Sequence, residues 1–170
     1  IKKDKIIFIC KGNACRSQIA EGLMRYLASD KFEVYSAGSH PRKVHPSAIK
    51  VMSEIGIDIS SNTSDPISLF INKGMDIVVT VCDNANKTCP VFPGRVERIH
   101  WSVKDPFKNW DSTTKDLIDF RKTRDELAVR IKNLLKRWLV SYFQQWRSNT
   151  DRKNYSSFYL QAWRGSHYQY

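Results

Sequence analysis

Two kinds of hydrophobic patterning alternate along the chain. Ile6-Ile7-Phe8-Ile9 is a continuous apolar run ending at Cys10, and Asp76–Val81 is a second, β-branched run. Continuous runs of this length predict buried parallel strands over Lys5–Cys10 and Asp76–Val81. Phe32–Ala37 alternates around Val34 and Ser36 and stops at Gly38, which predicts a third strand, and Val96–Ile99 predicts a short fourth. The stretches between them carry helical spacing. Ile19, Leu23 and Leu27 share a face over Gln18–Ala28. Ile49, Met52 and Ile55 share another, between Pro46 as a first helical residue and Gly56 as the stop. From about Thr113 a long helix is expected, its apolar face running Leu117, Phe120, Leu127, Ile131, Leu134, Leu135 and Trp138.

Strands alternating with helices predict a doubly wound α/β fold on a parallel sheet. Ligands in such folds sit beyond the carboxyl ends of the strands. Cys10 closes the first strand and Cys82 follows the Asp76–Val81 strand, so the two are candidates for one crevice. No internal repeat or linker divides the chain, and residues 1–140 read as one domain. Residues 141–170 differ in kind: they hold nine aromatics with little periodicity beyond Trp146. They read as a basic, aromatic extension that prolongs the last helix and then becomes irregular.

Charge sharpens that division. The net charge is +11, but residues 1–120 hold 17 basic and 14 acidic side chains, against 11 and 3 in residues 121–170. The basic excess therefore says little about the first part of the chain. No apolar run approaches the roughly 18 residues a membrane span needs. The four apolar residues after Ile1–Lys5 are too few for a signal-peptide core. The expectation is a cytoplasmic protein, without membrane or nucleic-acid partners, working as a monomer. In that compartment four cysteines point to catalysis, redox chemistry or metal rather than to a disulfide framework.

The chemistry concentrates in Cys10-Lys11-Gly12-Asn13-Ala14-Cys15-Arg16-Ser17. A strand feeding a tight loop and then a helix N-terminus forms an anion cradle, with backbone N–H groups and the helix dipole facing the ligand. Gly12 and Asn13 are residue types that tolerate φ > 0. Arg16 can clamp a tetrahedral oxyanion bidentately, and Ser17 can donate to the Cys10 sulfur. Cys10 thus lies where a thiolate is favoured and a bound oxyanion is within its reach. The bland alternative, a buried inert cysteine, does not account for the arginine six positions on. Cys15 reads as a loop-packing residue.

Cys82 and Cys89 bracket Asp83-Asn84-Ala85-Asn86-Lys87-Thr88. The spacing is too wide for a Cys-x-x-Cys redox motif and lacks a second pair for zinc. A helix-like segment between them would have to rearrange before the two thiols could bond. Asp105-Pro106 is a turn dipeptide, and its carboxyl is a candidate general acid if it lies near the oxyanion. His40, His45, His100 and His167 show no metal-ligand spacing and read as surface or core-edge residues.

Together these residues resemble the thioredoxin-coupled arsenate reductases, which share the low-molecular-weight protein tyrosine phosphatase fold. The resemblance rests on Cys10–Ser17 with Gln18-Ile19-Ala20-Glu21-Gly22, then Tyr35-Ser36-Ala37-Gly38, Gly56-Ile57-Asp58-Ile59-Ser60, Thr63-Ser64-Asp65, Val78-Val79-Thr80-Val81-Cys82, Cys89-Pro90, His100-Trp101 and Asp105-Pro106. These run in order through about the first 140 residues. The resemblance implies a flavodoxin-like three-layer α/β/α fold around a central four-stranded parallel sheet. It implies that arsenate binds in the loop Lys11, Gly12, Asn13, Ala14, Cys15, Arg16 and Ser17. Catalysis would fall to Cys10, Arg16, Cys82, Cys89 and Asp105: Cys10 attacks arsenic, Cys82 and then Cys89 carry the disulfide, and thioredoxin reduces it. The implied role is arsenic detoxification, with a weak phosphatase side activity. Some relatives bind potassium through positions matching Asn13, Glu21, Ser36 and Asp65, and all four residues are present here.

Lys11 and Ala14 depart from the small polar residues common at their positions in that family. Three readings stay open at this point: the reductase, with thioredoxin or glutaredoxin as donor; a tyrosine-phosphatase-type enzyme using Cys10, Arg16 and Asp105 alone, with Phe107 after the Asp-Pro; and a non-enzymatic redox or nucleic-acid-binding module built on the basic extension.

Overall fold

The structure is a computed structural model that describes residues 2–111 and 114–148, with the side chains of 112–116 and of residues beyond 144 left aside. His167 and the extension beyond residue 148 lie outside the described residues. The elements in order are β1 (Asp4–Cys10), α1 (Arg16–Ala28), β2 (Phe32–Gly38), α2 (Pro46–Ser53), a 3-10 turn at Ile67–Leu69, β3 (Ile77–Thr80), α3 (Asp83–Thr88), β4 (Glu97–His100) and α4 (Thr114–Ser148).

The four strands form one parallel sheet in the order β2-β1-β3-β4. In β1 and β3 successive residues are buried regardless of which way they point: Ile6, Ile7, Phe8 and Ile9 at 0 %, and Val78 and Val79 at 1 % or less. That burial on both faces is why these strands read as unbroken apolar runs. This is the flavodoxin-like α/β architecture that the resemblance implies. Helix α1 packs on β1, β2 and α2, and α3 on β1 and β3. Gly22 on α1 lets α1 approach the segment after α2, since a Cβ there would lie 2.7 Å from Ile59 Cγ2.

Two details of the sequence reading change. The buried face of α2 is Ala48, Val51 and Met52, while Ile55 falls past the helix end and is 43 % exposed. The chain turns out of α2 at Glu54, so helical spacing no longer applies to Ile55. β4 is displaced by one residue from Val96–Ile99 and is mostly exposed, as an edge strand is.

The chain divides into two units, Ile1–Ile131 and Lys132–Tyr170. In the first, Phe120, Leu127 and Ile131 of α4 are buried as the periodicity required. In the second, Trp138 and Tyr142 stack one turn apart with ring centroids 5.2 Å from each other. Among the described residues, no helix is long and apolar enough to cross a membrane.

Candidate active site

The loop between β1 and α1 is held open by its carbonyls. Those of Lys11, Gly12 and Ala14 accept from the backbone N–H groups of His40 (2.8 Å), Arg42 (3.0 Å) and His45 (2.9 Å). With its carbonyls turned outward onto the segment after β2, the loop can direct N–H groups inward. Asn13 takes φ +44°, the left-handed conformation that asparagine tolerates better than most residues. Gly38 lies under this turn: a Cβ there would sit 2.8 Å from both Asn13 N and Lys11 O.

Cys10 is buried at the floor of the loop. The Asn13 N–H donates to its sulfur at 3.2 Å, and the Ser17 hydroxyl lies 3.0 Å from it. The neighbouring donors orient that hydroxyl. Asn13 Oδ1 accepts the Asp65 N–H (2.9 Å), so its Nδ2 donates to both Ser17 and Ser36, each at 2.8 Å. Ser17 Oγ accepts from Asn13, which leaves its own proton for Cys10. Ser36 in turn donates to Glu21 at 2.5 Å. A continuous chain Glu21–Ser36–Asn13–Ser17–Cys10 thus ends with a donor aimed at the sulfur.

Arg16 is 8 % exposed and donates to the Val103 carbonyl (2.9 Å) and to Asp105 Oδ2 (2.5 Å). Asp105 accepts from the Phe107 N–H with its other oxygen, forming the turn expected of Asp-Pro. Cys15 is 5 % exposed; burial, and then Asp105 and Cys10, hold its thiol far above the usual range despite Arg16. It stays protonated and packs, as the sequence indicated.

A cavity of about 270 Å³ opens over Cys10, walled by Ala14, Cys15, Arg42, Phe107 and Trp110 among others. A second, of about 500 Å³, holds Cys82, Asp83, Asn84, Ser102 and Lys104. Lys11, Arg16 and Asp105 line both. The adjacency follows from the sheet: β1 and β3 are neighbours, with Val81 N donating to Ile9 O at 2.8 Å, so Cys10 and Cys82 leave the same edge.

Cys82 is buried, caps α3, and accepts from the Ala85 N–H at 3.3 Å. Cys89 ends that helix and is half-buried. Burial pushes the Cys89 thiol up, with Arg98 opposing. All four cysteines are free thiols.

The structure brings Cys10, Arg16, Ser17 and Asp105 together and puts Cys82 in the adjoining cavity. His45 is a correction: it is 1 % exposed, not a surface or core-edge residue. Its Nδ1 accepts from Ser47 N–H (3.0 Å) as the cap of α2, and its Nε2 meets the Asn109 carbonyl at 2.7 Å. Phe107, Trp110 and Phe120 enclose its ring. His45 therefore fixes the aromatic wall of the Cys10 cavity, a role that no local motif announces.

The four oxygen-bearing positions considered for potassium are close but engaged. Glu21 accepts from Arg25 through one oxygen and from Ser36 through the other. Asn13 Oδ1 is taken by Asp65 N–H, and Asp65 Oδ2 by Thr63 at 2.7 Å. Burial raises the Glu21 carboxyl, with Ser36 and Arg25 opposing. Among the described residues no buried side-chain polar atom lacks a partner. Asn13, Glu21, Ser36 and Asp65 thus form one hydrogen-bonded cluster beside the loop, two carboxylates with two neutral oxygens.

The profile of the family described as low molecular weight phosphotyrosine protein phosphatase matches residues 5–142. Arsenate reductase 1 of Staphylococcus epidermidis is 45 % identical over 137 residues, which is 81 % of this chain and 99 % of that protein. A solved arsenate reductase in its oxidised state superposes with a TM-score of 0.68 at 35 % identity, covering 79 % of this chain and 98 % of its own. A thioredoxin-dependent arsenate reductase of Corynebacterium glutamicum gives 0.66 at 30 % identity, covering 82 % of this chain and 63 % of the other.

Proposed function

The chain belongs to the low molecular weight phosphotyrosine protein phosphatase family, and from that premise we propose that it reduces arsenate to arsenite through a three-cysteine relay, with thioredoxin as electron donor, in arsenic detoxification. The reductase domain is residues 1–140; no role is assigned to 141–170. The observation that carries this reading is the position of Cys82, in a cavity that shares Lys11, Arg16 and Asp105 with the cavity over Cys10. A phosphatase needs Cys10, Arg16 and Asp105 and has no use for a second thiol there. Relatives named arsenate reductase, matched over 95 % or more of their own length, support the same choice.

Arsenate enters the loop 11–17 and is held by backbone N–H groups and Arg16. The Cys10 thiolate, supported by Ser17 and the Asn13 N–H, attacks arsenic. Asp105 protonates the departing oxygen, and water leaves. Cys82 thiolate then attacks Cys10 Sγ: an S–S bond forms, the S–As electron pair passes to arsenic, and arsenite departs as As(III). Two thiols are oxidised as arsenic is reduced by two electrons. Cys89 thiolate attacks Cys82 Sγ and releases Cys10 as thiolate. Thioredoxin reduces the Cys82–Cys89 disulfide. Asn13, Glu21, Ser36 and Asp65 would hold a potassium ion beside the loop, and loop stability and activity should then differ between potassium and sodium buffers.

The test is arsenate-dependent NADPH oxidation with thioredoxin and thioredoxin reductase. Steady turnover is expected, abolished by Cys82→Ser and by Cys89→Ser. Hydrolysis of p-nitrophenyl phosphate that survives both substitutions, with no arsenate-dependent oxidation, would instead make the protein a phosphatase with an aromatic slot at Phe107 and Trp110.

A further inference from the structure

The third thiol step poses a geometric problem. Cys82 and Cys89 stand at opposite ends of α3. Seven residues at 1.5 Å each place them roughly 10 Å apart, beyond the ~7 Å that a disulfide tolerates. The helix must open before Cys89 reaches Cys82. Something must also keep it closed beforehand, because six residues of helix are too few to be stable alone.

Its attachments are few and specific. Inside the helix, Asn86 N donates to Cys82 O at 3.0 Å and Cys89 N to Ala85 O at 2.8 Å. Outside it, Asp83 Oδ1 lies 3.0 Å from His100 Nε2 on β4. The other ring nitrogen of His100 lies 2.9 Å from Thr80 Oγ1 on β3. Thr80 Oγ1 in turn lies 3.3 Å from Asn86 Oδ1. With Nε2–H on Asp83, Nδ1 accepts the Thr80 hydroxyl proton, so His100 ties the first residue of α3 to β3. Asp83 also bonds the Ser102 side chain, which with His100 lowers its carboxyl and keeps it an anion. Among the described residues, the hydrogen bonds and ion pair of His100 go to Thr80 and Asp83, not to the groups around Cys10.

We infer that His100 is a positioning residue, a latch that holds the Cys82–Cys89 helix wound through arsenite release and limits the transfer of the disulfide to Cys89. The inference rests on the relay proposed above. Wound, α3 keeps the Ala85 N–H on Cys82 Sγ, where it supports a thiolate. Once Cys82 is in a disulfide with Cys10, that sulfur has lost its charge and the Ala85 contact weakens. The contacts of Asp83 with His100 and Ser102 are then the external ties on the first turn. In the step it gates, Cys89 thiolate forms the new S–S bond and Cys10 leaves as thiolate, so no external oxidant or reductant is needed.

The experiment uses the full, reduced chain in a single turnover with arsenate and no thioredoxin. Samples are quenched by alkylation and their disulfides mapped by mass. In His100→Leu, arsenite should appear at the unsubstituted rate while the Cys82–Cys89 disulfide forms about fivefold faster, the effect of one typical hydrogen bond. Asp83→Ala breaks the same tie from the exposed side and should accelerate the same transfer, even if His100→Leu folds poorly. Amide exchange at Asn86 and Cys89 should rise in step. Acceleration of one transfer alone is what general loosening of the fold would not produce. Unchanged or slower disulfide transfer in both variants would overturn the latch. Absence of arsenite from the unsubstituted chain would instead overturn the relay, and the latch with it.

Discussion

The Arg16 guanidinium donates to the carboxylate of Asp105 at 2.5 Å, although the two are 89 residues apart in sequence. The pair lines the cavity over Cys10 and the cavity that holds Cys82. An oxyanion in the loop competes with Asp105 for the same N–H groups.

That competition predicts opposite effects of one substitution. Asp105→Asn removes the carboxylate that occupies Arg16 and repels anions, so phosphate should bind several-fold more tightly by calorimetry. It also removes the general acid, so kcat for arsenate should fall about 100-fold or more. Weaker phosphate binding in Asp105→Asn would mean that the ion pair preorganises Arg16 rather than blocking it.

Asn13 is the hub of the chain from Glu21 to Cys10, and its cost of removal has two separable parts. Asn13→Gly loses the side-chain bonds to Ser17, Ser36 and the Asp65 N–H but keeps the φ of +44° without strain. Asn13→Ala loses both and should be about 1 kcal/mol less stable than the glycine variant. Denaturant melts of the two proteins measure the difference. Both should slow alkylation of Cys10 at neutral pH, because Ser17 is then free to turn its proton elsewhere.

Two glycines give a further contrast. At Gly38 an added methyl meets backbone at 2.8 Å, Asn13 N and Lys11 O, and backbone of a loop pinned by three hydrogen bonds cannot retreat. At Gly22 it meets Ile59 Cγ2, a buried β-branched methyl, at 2.7 Å and Met52 Cε at 3.0 Å, away from the loop. Both substitutions should cost about 1 to 3 kcal/mol by overpacking, but only Gly38→Ala should disable anion binding, while Gly22→Ala leaves the site working. Thermal melts and phosphate titration of both variants check this.

The sheet was legible because β1 and β3 are buried on both faces and read as unbroken runs. The Cys10–Ser17 cradle was legible because its residues are contiguous. Distance in sequence hid the rest. Nothing near Arg16 marks Val103 and Asp105 as its partners, and nothing near His100 marks Asp83 as its partner. His45 read as a surface or core-edge residue because its burial comes from Phe107, Trp110 and Phe120, which arrive from beyond residue 100. The α2 face was misread at Ile55 because periodicity was carried past the helix end.

Cys89 sets the pH at which the last thiol transfer is competent. Burial favours its neutral form, so its folded titration lies above the ordinary thiol range, and the attacking thiolate gains population only as pH rises through that higher value. Arg98 opposes the shift and lies within reach, donating to the Pro90 carbonyl at 3.2 Å. Alkylation of Cys89 by iodoacetamide, followed in Cys10→Ser/Cys82→Ser protein, should have its midpoint above that of a free thiol. Arg98→Leu should move the midpoint higher still, since the compensating charge is lost while the burial remains. Turnover with thioredoxin should rise over the same alkaline range where this step limits it. A midpoint that moves down in Arg98→Leu would mean that the arginine acts by shielding the thiol from water, and that its charge is spent on the Pro90 carbonyl rather than on the sulfur.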